Sequence, residues 1–302
     1  MDFIALARDI AGNGNVFINE KLDKHTTFRV GGPADCLVTP DSVEQVVRLV
    51  KACRDNSIPY YVIGNGSNLL VSDEGFNGII IKIGRNMSNI SINNDIITAE
   101  AGALLSAIGT FALKRSLAGF EFAAGIPGTL GGGCVMNAGA YGGELKDVLV
   151  SVKAITPQGE IVDFSVDELG MGYRTSIFFD KDYVVLQADI KLSQGVESEI
   201  ASRMSELAFM RRDKQPLELP NAGSTFKRPE GYFAGKLIED AGLKGKGIGG
   251  ACVSEKHAGF VVNKNNATAQ EVYDTIQFVI DEVKNNSGII LEPEVRIIGN
   301  FA

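Results

Sequence analysis

The sequence predicts an α+β protein with mixed sheets, divided into about three lobes. Three observations carry that expectation. Apolar runs of strand length alternate with helical stretches along all 302 residues. Two glycine-rich segments, Ile63–Phe76 and Ala123–Glu144, interrupt the alternation where tight turns or a bound ligand require bare backbone. Finally, Pro216 and Pro220 in "DKQPLELP" mark a joint before the last third of the chain.

The elements follow in order. After an N-terminal helix, "CLVTP" (Cys36–Pro40) reads as a strand. Ser42 and Gln45 then form a capping box for a helix with Val43, Val46, Val47, Val50 and Cys53 at helical spacing. "YYVI" (Tyr60–Ile63) completes a small βαβ unit, and "NLLVSDEGFNGIIIKIG" continues as extended chain. A second layer begins near Asn86 with the strand "DIITAEAG", followed by a helix carrying Leu104, Leu105, Ile108, Phe111 and Ala112 on one face. Pro157-Gln158-Gly159 reads as a hairpin turn; "DYVVLQADIKL" is a strand, and an amphipathic helix runs from Val196 to about Arg212. The third layer holds a short strand "GSTFKR", a helix "YFAGKLIEDAG" and a strand "AGFVVN". A long helix capped by Thr268 and Glu271 follows, and "GIILEPEVRIIG" closes the chain as a strand.

Composition narrows the function. The apolar share is 45%, the charged share 22%, and the net charge −8 opposes a general nucleic-acid binder, which needs a basic face. An anionic ligand must therefore be held by local devices. Gly is frequent at 35 residues, against a usual share of about 7%. Cys36, Cys53, Cys134 and Cys252 form no CxxC pair, and with only His25 and His257 available no metal site is expected. Buried free thiols in a reducing compartment fit best. "MDFIALARDI" lacks the form of a signal peptide, and the charge-free span Phe122–Gly143 has too many glycines for a membrane helix. The expectation is a cytoplasmic protein with no membrane insertion.

The first glycine-rich segment, "IGNGSNLLVSDEGF", follows a strand, as phosphate-binding turns do. It fits neither common nucleotide motif. The third glycine of G-x-G-x-x-G is replaced by Leu69, and Gly247 follows Gly245-Lys246 where a P-loop needs Ser or Thr. What remains is a nest of backbone N–H groups around Gly64–Asn68, able to cradle a diphosphate. In "AAGIPGTLGGGCVMNAGAYGGE", Gly131 to Gly133 would let the backbone approach a flat ligand, and "NAGAYGG" adds a second amide-rich bend. Two such nests suggest a large cofactor with a diphosphate. Arg174, Ser224, Lys227 and Lys214 are candidates for chemistry, although no Ser-His-Asp arrangement can be built from these histidines. The period of two in the last strand puts Glu292, Glu294 and Arg296 on one face and does not choose between the glutamates.

Seven motifs in order, "TTFRVGGPAD", "VIGNGSNLL", "AGIPGTLGG", "NAGAYGGE", "GYRTSIF", "NAGSTFKRP" and "LEPEVRIIG", resemble the UDP-N-acetylenolpyruvoylglucosamine reductase (MurB) family over about Thr26 to Gly299. The resemblance implies an FAD-binding fold of the vanillyl-alcohol-oxidase (PCMH) type in two lobes plus a substrate-binding α/β lobe. The lobes would be 1–85 with the C-terminal strand 295–302, then 86–214, then 215–294. It implies non-covalent FAD, with Ile63, Gly64, Asn65, Gly66, Ser67, Asn68 and Leu69 at its diphosphate. Thr27, Phe28, Arg29, Gly125, Ile126, Pro127, Gly128, Thr129, Gly131, Gly132, Asn137, Ala138 and Gly139 would lie near the flavin. Arg174, Ser224 and Glu294 match the catalytic positions; Tyr141, Tyr173, Lys214, Lys227 and Arg228 match positions at the substrate. His257 stands where some relatives carry a nucleotide-contacting Gln, and Arg228 where some carry Asn. No tyrosine-bearing insertion lies between Phe179 and Tyr183, so the chain resembles the shorter, type II branch.

The implied substrates are UDP-N-acetylglucosamine enolpyruvate and NADPH, the implied state a monomer or weak oligomer, and the implied pathway peptidoglycan precursor synthesis. Hydride would pass from NADPH by way of the flavin to C3, and Ser224 would protonate C2 while Arg174 and Glu294 bind the carboxylate. Anionic ligands would meet Lys214, Lys227, Arg228 and Lys236 on an otherwise acidic body. Two other readings stay open from sequence: another FAD oxidase or dehydrogenase of the same fold, and a non-catalytic nucleotide-sugar binding protein.

Overall fold

The structure, a computed structural model, describes residues 2–179 and 181–302. The expectation for the segment between Phe179 and Tyr183 falls partly on Asp180, outside the described residues. The chain gathers into two compact units. The first comprises Met1–Ile18, Cys36–Asn65 and Gly78–Arg211; the second comprises Asn19–Asp35, Gly66–Asn77 and Arg212–Ala302.

In the first unit, helix Val43–Asp55 buries Val46, Leu49, Val50 and Cys53. Its expected capping box is half formed. Ser42 accepts from the Gln45 amide at 3.3 Å, but Gln45 Oε1 accepts from Asp41 N at 3.0 Å rather than from Ser42. The βαβ unit is also opened up. Strand Phe76–Lys82 lies between Pro33–Val38 and Tyr60–Ile63 in a four-stranded sheet whose outer strand is Val16–Lys21. Tyr60–Ile63 pairs in parallel with it, from Tyr60↔Ile79 to Ile63↔Lys82.

Five antiparallel strands form the largest sheet of this unit, in the order Ile161–Ser165, Leu149–Ile155, Val184–Lys191, Ile96–Glu100, Ile90–Asn93. The hairpin at Pro157–Gly159 closes as expected, with Gly159 at φ 90° and its N–H on Thr156 O. Helix Leu105–Leu113 buries Leu105, Ile108 and Ala112, whereas Leu104 is the N-cap and is 42% exposed. The helix expected from Val196 to about Arg212 runs Glu197–Lys214, but it is only weakly amphipathic, burying Ile200, Leu207 and Arg211. Arg54 ties the unit together, donating to Tyr60 Oη, Thr156 O and Asp182 O at 3.1, 2.9 and 2.6 Å.

In the second unit, helix Ala269–Ser287 carries the full reciprocal box between Thr268 and Glu271. Asp73 adds a carboxylate at the same end, accepting from Ala269 N and Gln270 N at 2.9 Å each, where the helix dipole favours negative charge. The buried face of the helix, including Val272, Ile276, Val279 and Val283, packs in a core with Phe28 and Leu70. Ala251–Val253 and Val261–Asn263 form an antiparallel pair, and Leu69–Val71 pairs in parallel with Arg296–Ile298. The strand expected at "GSTFKR" reduces to one bridge, Phe226↔Pro293, and the closing strand is only Arg296–Ile298. Pro293 lacks the N–H that a longer ladder needs.

All four cysteines are free and buried, and burial pushes the Cys134 thiol up to about 12. Among the described residues no helix is long and apolar enough to cross a membrane. Thr268→Ala should lower the unfolding free energy by about 1 kcal/mol. Urea titration would register this as a lower midpoint at unchanged slope.

Candidate functional site

The first unit holds one half of the residues singled out from sequence. Gly64 follows the buried Ile63 at a strand end, and a methyl built on it would fall inside the Thr129 hydroxyl. Asn65 Nδ2 donates to Pro127 O at 2.6 Å. The two glycine-rich segments therefore meet in space, which spacing alone did not show. Within the second segment, Gly125, Pro127 and Gly132 are exposed, while Gly128, Thr129 and Gly131 are buried.

Part of the glycine-rich span is a short helix, Leu130–Val135, not a loop. A Cβ on Gly131 would meet Ala101 at 2.9 Å, and one on Gly133 would meet Leu145 at 2.8 Å. These two glycines serve close packing inside the protein. Gly132 alone of the three has room for a methyl group, which would meet Thr129 Oγ1 in ordinary contact at 3.7 Å. Leu130 N and Gly131 N are already bonded to Ala103 O and Ala101 O. The Gly128 and Thr129 amides have no acceptor among the described residues.

Asn137 is wholly buried at φ 44°, with its side chain spent inside the protein on Glu144, Gly172 O and Lys146 N. Ala138 is buried, and its N–H and carbonyl are bonded to Gly133 O and Leu145 N. Gly139–Ala140 and Gly143–Glu144 form a hairpin whose corners are Tyr141 at φ 52° and Gly142 at φ 90°. Arg174 also adopts a positive φ, 55°, in a one-bridge turn closed by Gly172 and Thr175. Its Nη2 donates to Gly139 O at 3.3 Å, and its guanidinium lies 5.3 Å from the ring of Tyr173, itself 51% exposed. Left-handed backbone at a non-glycine costs energy, and its presence at an arginine is a mark of functional sites.

Sequence reading missed Arg211, which is nearly buried, donates to Gly125 O and lies 5.7 Å from the Tyr141 ring. Its signal was present: Leu207 and Arg211 are four apart, so a charge occupies the apolar stripe of its helix. Glu144 was missed as well. Lys146, Asn137 and the field of Arg174 hold its carboxyl below the usual range, the Lys146 hydrogen bond most.

In the second unit, Thr225 is the organising residue. It is fully buried; its N–H donates to Gly259 O, its Oγ1 accepts from Val261 N, and its O accepts from Glu294 N. Ser224, one residue before it, is exposed, and Glu294 is half-buried. Gly223 at φ 79° closes an Asx turn onto Asn221 Oδ1 at 2.9 Å and turns the chain into Ser224. Glu294 O accepts from Asn68 Nδ2 at 3.1 Å, so Gly66–Asn68 joins this cluster. Glu292, the other candidate, is 71% exposed in its side chain and pairs with Lys227 at 3.2 Å.

The other predicted residues are placed as follows. Phe28 is fully buried in the core and its carbonyl accepts from Asn263 Nδ2, so its side chain is structural. Arg29 and Lys214 are exposed. Arg228 lies over Phe233 at 4.1 Å and donates to Tyr232 O. The positive set is partly offset, since Lys236 pairs with Asp240 at 2.6 Å and Lys227 with Glu292. His257 Nδ1 accepts from Gly259 N at 3.1 Å, which places the proton of the neutral ring on Nε2.

Residues 215–298 match the family described as UDP-N-acetylenolpyruvoylglucosamine reductase, C-terminal domain, and residues 34–165 match an FAD binding domain. A UDP-N-acetylenolpyruvoylglucosamine reductase of Clostridium botulinum is 52% identical over 281 residues, covering 93% of this chain and 92% of that protein. The chain belongs to the UDP-N-acetylenolpyruvoylglucosamine reductase family. One from Clostridium perfringens is 49% identical over 299 residues, covering 99% of this chain and 98% of the other. The crystal structure of UDP-N-acetylenolpyruvylglucosamine reductase (MurB) from Thermus caldophilus superposes with TM-score 0.79 at 34% identity, over 93% of this chain and 98% of that one. The glucose dehydrogenase Phl p 4.0202, with TM-score 0.51 and 16% identity over 65% of this chain and 45% of that one, shares the fold alone.

The residues present fit FAD. In the first unit, Gly64 packs on Thr129 and Asn65 bonds to Pro127 O, which sets the two glycine-rich segments side by side next to the exposed Gly132. In the second, Gly66 accepts from Thr27 N at 3.2 Å, and Thr27 Oγ1 is a buried oxygen with no partner among the described residues. Such an oxygen is expected to bond a ligand.

Gly64→Ala should cost about 1–3 kcal/mol through overpacking against Thr129. The purified variant should carry less flavin per chain by absorbance; full flavin content would count against this cradle. His257 has a second measurable consequence. Burial, the largest cause, lowers its pKa below the ordinary imidazole value. The unfolded chain therefore takes up the proton first, so stability should fall as pH drops below about 6.5. His257→Gln should flatten that part of a stability–pH curve measured by thermal melts.

Proposed function

We propose that this chain reduces the enolpyruvyl ether of UDP-N-acetylglucosamine enolpyruvate to the lactyl ether of UDP-N-acetylmuramate, with NADPH as reductant. Family membership and the FAD-domain match support the reading. The observation that carries it in this chain is the Thr225 anchor, which sets an exposed serine and a half-buried glutamate on adjoining backbone. Bound FAD would supply the two-electron chemistry, accepting hydride from NADPH and passing it to C3 of the enolpyruvyl group.

The chain's own residues handle the charge and the proton. Hydride addition at C3 leaves negative charge at C2, shared with the neighbouring carboxylate. Arg174 is proposed to donate to that carboxylate; placed donors of this kind are worth about 2.7–4 kcal/mol each. Glu294 is proposed as its second partner, in preference to Glu292, whose carboxylate already faces Lys227 in solvent. Ser224 is proposed to deliver its hydroxyl proton to C2. Tyr141, Tyr173, Lys214, Lys227, Arg228 and His257 are proposed contacts of the nucleotide-sugar.

The functional division proposed is two flavin lobes, 1–85 with 295–302 and 86–214, and a substrate lobe, 215–294. The FAD-domain match over 34–165 and the C-terminal match over 215–298 support it. A cytoplasmic monomer or weak oligomer is the proposed state.

The decisive experiment is purification followed by absorbance and turnover. The protein should be yellow and should oxidise NADPH only when the enolpyruvyl substrate is added. A colourless protein that takes up no FAD would refute the reading. Ser224→Ala should leave flavin reduction by NADPH intact and slow reoxidation by the enolpyruvyl substrate by about 10²–10⁴-fold. Loss of both half-reactions would remove Ser224 from the role of proton donor. Glu294→Gln should be severe and Glu292→Gln mild in the same assay, and the reverse order would exchange their assignments.

A further inference from the structure

Arg174 owes its place to a small network that begins at Glu144. The strand register sets Glu144 opposite Gly139, and Gly139 O is the acceptor for Arg174 Nη2. The Glu144 side chain reaches the same turn by a second route. Its Oε2 accepts from Asn137 Nδ2 at 3.1 Å, and the other Nδ2 hydrogen of Asn137 goes to Gly172 O at 3.0 Å. Asn137 Oδ1 accepts from Lys146 N at 3.0 Å, which fixes the amide orientation, because a flipped amide would lose all three bonds. Gly172 exchanges two backbone bonds with Thr175, so Arg174 sits inside the turn that Asn137 holds. Ser176 Oγ, donating to Val135 O at 2.7 Å, secures the far end.

Glu144 does not occupy the guanidinium fork itself; its closest cation is Lys146 at 2.7 Å. Its route to Arg174 therefore runs through Asn137 and the backbone of the turn. We propose that Glu144 is a positioning residue for Arg174, acting through Asn137 and the Gly172 carbonyl and through the Gly139 strand pair. The inference rests on the role of Arg174 in binding the enolpyruvyl carboxylate. Without the Glu144 acceptor, Asn137 loses one of the three bonds of its amide group, and its clamp on the left-handed turn at Arg174 is loosened. A guanidinium displaced by an ångström still carries its charge but misses the geometry, a loss of about 100-fold in rate.

Rapid-mixing measurements on the flavin-loaded enzyme separate the two half-reactions. Glu144→Ala should slow oxidation of the reduced enzyme by the enolpyruvyl substrate by about 100-fold, while reduction by NADPH keeps its rate. Glu144→Gln retains an acceptor oxygen for Asn137 and should restore nearly full speed. In an Arg174→Ala background, Glu144→Ala should add no further loss, because both changes act on one interaction. Equal slowing of both half-reactions, no slowing in Glu144→Ala, or multiplied losses in the double variant would each overturn the inference. If Arg174→Ala alone is harmless, the role of Arg174 falls, and this inference with it. Should Glu144→Ala not fold, Asn137→Asp keeps the Lys146 bond and turns both donor hydrogens into acceptors. It should show the same selective loss, and full activity would overturn the proposal.

Discussion

The second unit depends on a single residue with no exposed surface. Thr225 spends its amide on Gly259, its hydroxyl on Val261 and its carbonyl on Glu294. A buried polar group left unmatched costs about 1–3 kcal/mol, so the three bonds together fix where the chain must run. Ser224 is then presented to solvent by a backbone that has no freedom to withdraw it. Asn68 extends the same lattice by holding the carbonyl of Glu294 while its own carbonyl takes the Arg296 amide. Two proposed catalytic side chains and a glycine-rich loop thus hang on one hydrogen-bonded stretch of backbone, as precise chemistry requires.

The first unit applies a different device to the same end. Its segments come together because side chains are absent. Gly64 abuts Thr129, Gly131 abuts Ala101, and Gly133 abuts Leu145, each too close for a methyl group. Arg211 then closes over Gly125 from the helix Glu197–Lys214. Gly131 and Gly133 of the second segment are thus explained by packing, whereas Gly132 between them is exposed.

Much of this was legible in the sequence, and the limits have physical causes. Helices declared themselves through periodicity and caps, as at Thr268–Glu271, because those signals are local. The strand Ile90–Asn93 and the insertion of Phe76–Lys82 between Pro33–Val38 and Tyr60–Ile63 were not legible, since pairing partners lie far apart in the chain. The short helix at Leu130 was hidden by glycines, which disfavour helix in isolation and are tolerated here for close packing. Ser224 and Glu294 stood out only through the order of motifs. Periodicity left the two glutamates equal; the exposure of Glu292 and its pair with Lys227 are what support proposing Glu294. Thr225 gave no signal, because a threonine between a serine and a phenylalanine looks like any strand residue.

A cradle for FAD around Gly64 and Gly128, as proposed, would have a consequence for how such a site can change. Recognition by main-chain amides is written in the path of the chain, not in the identity of its side chains. No exchange of one functional group for another can retune it, and the only single substitutions available add bulk where Thr129 already fills the space. An inhibitor that addressed these amides would meet a target with few viable routes to resistance.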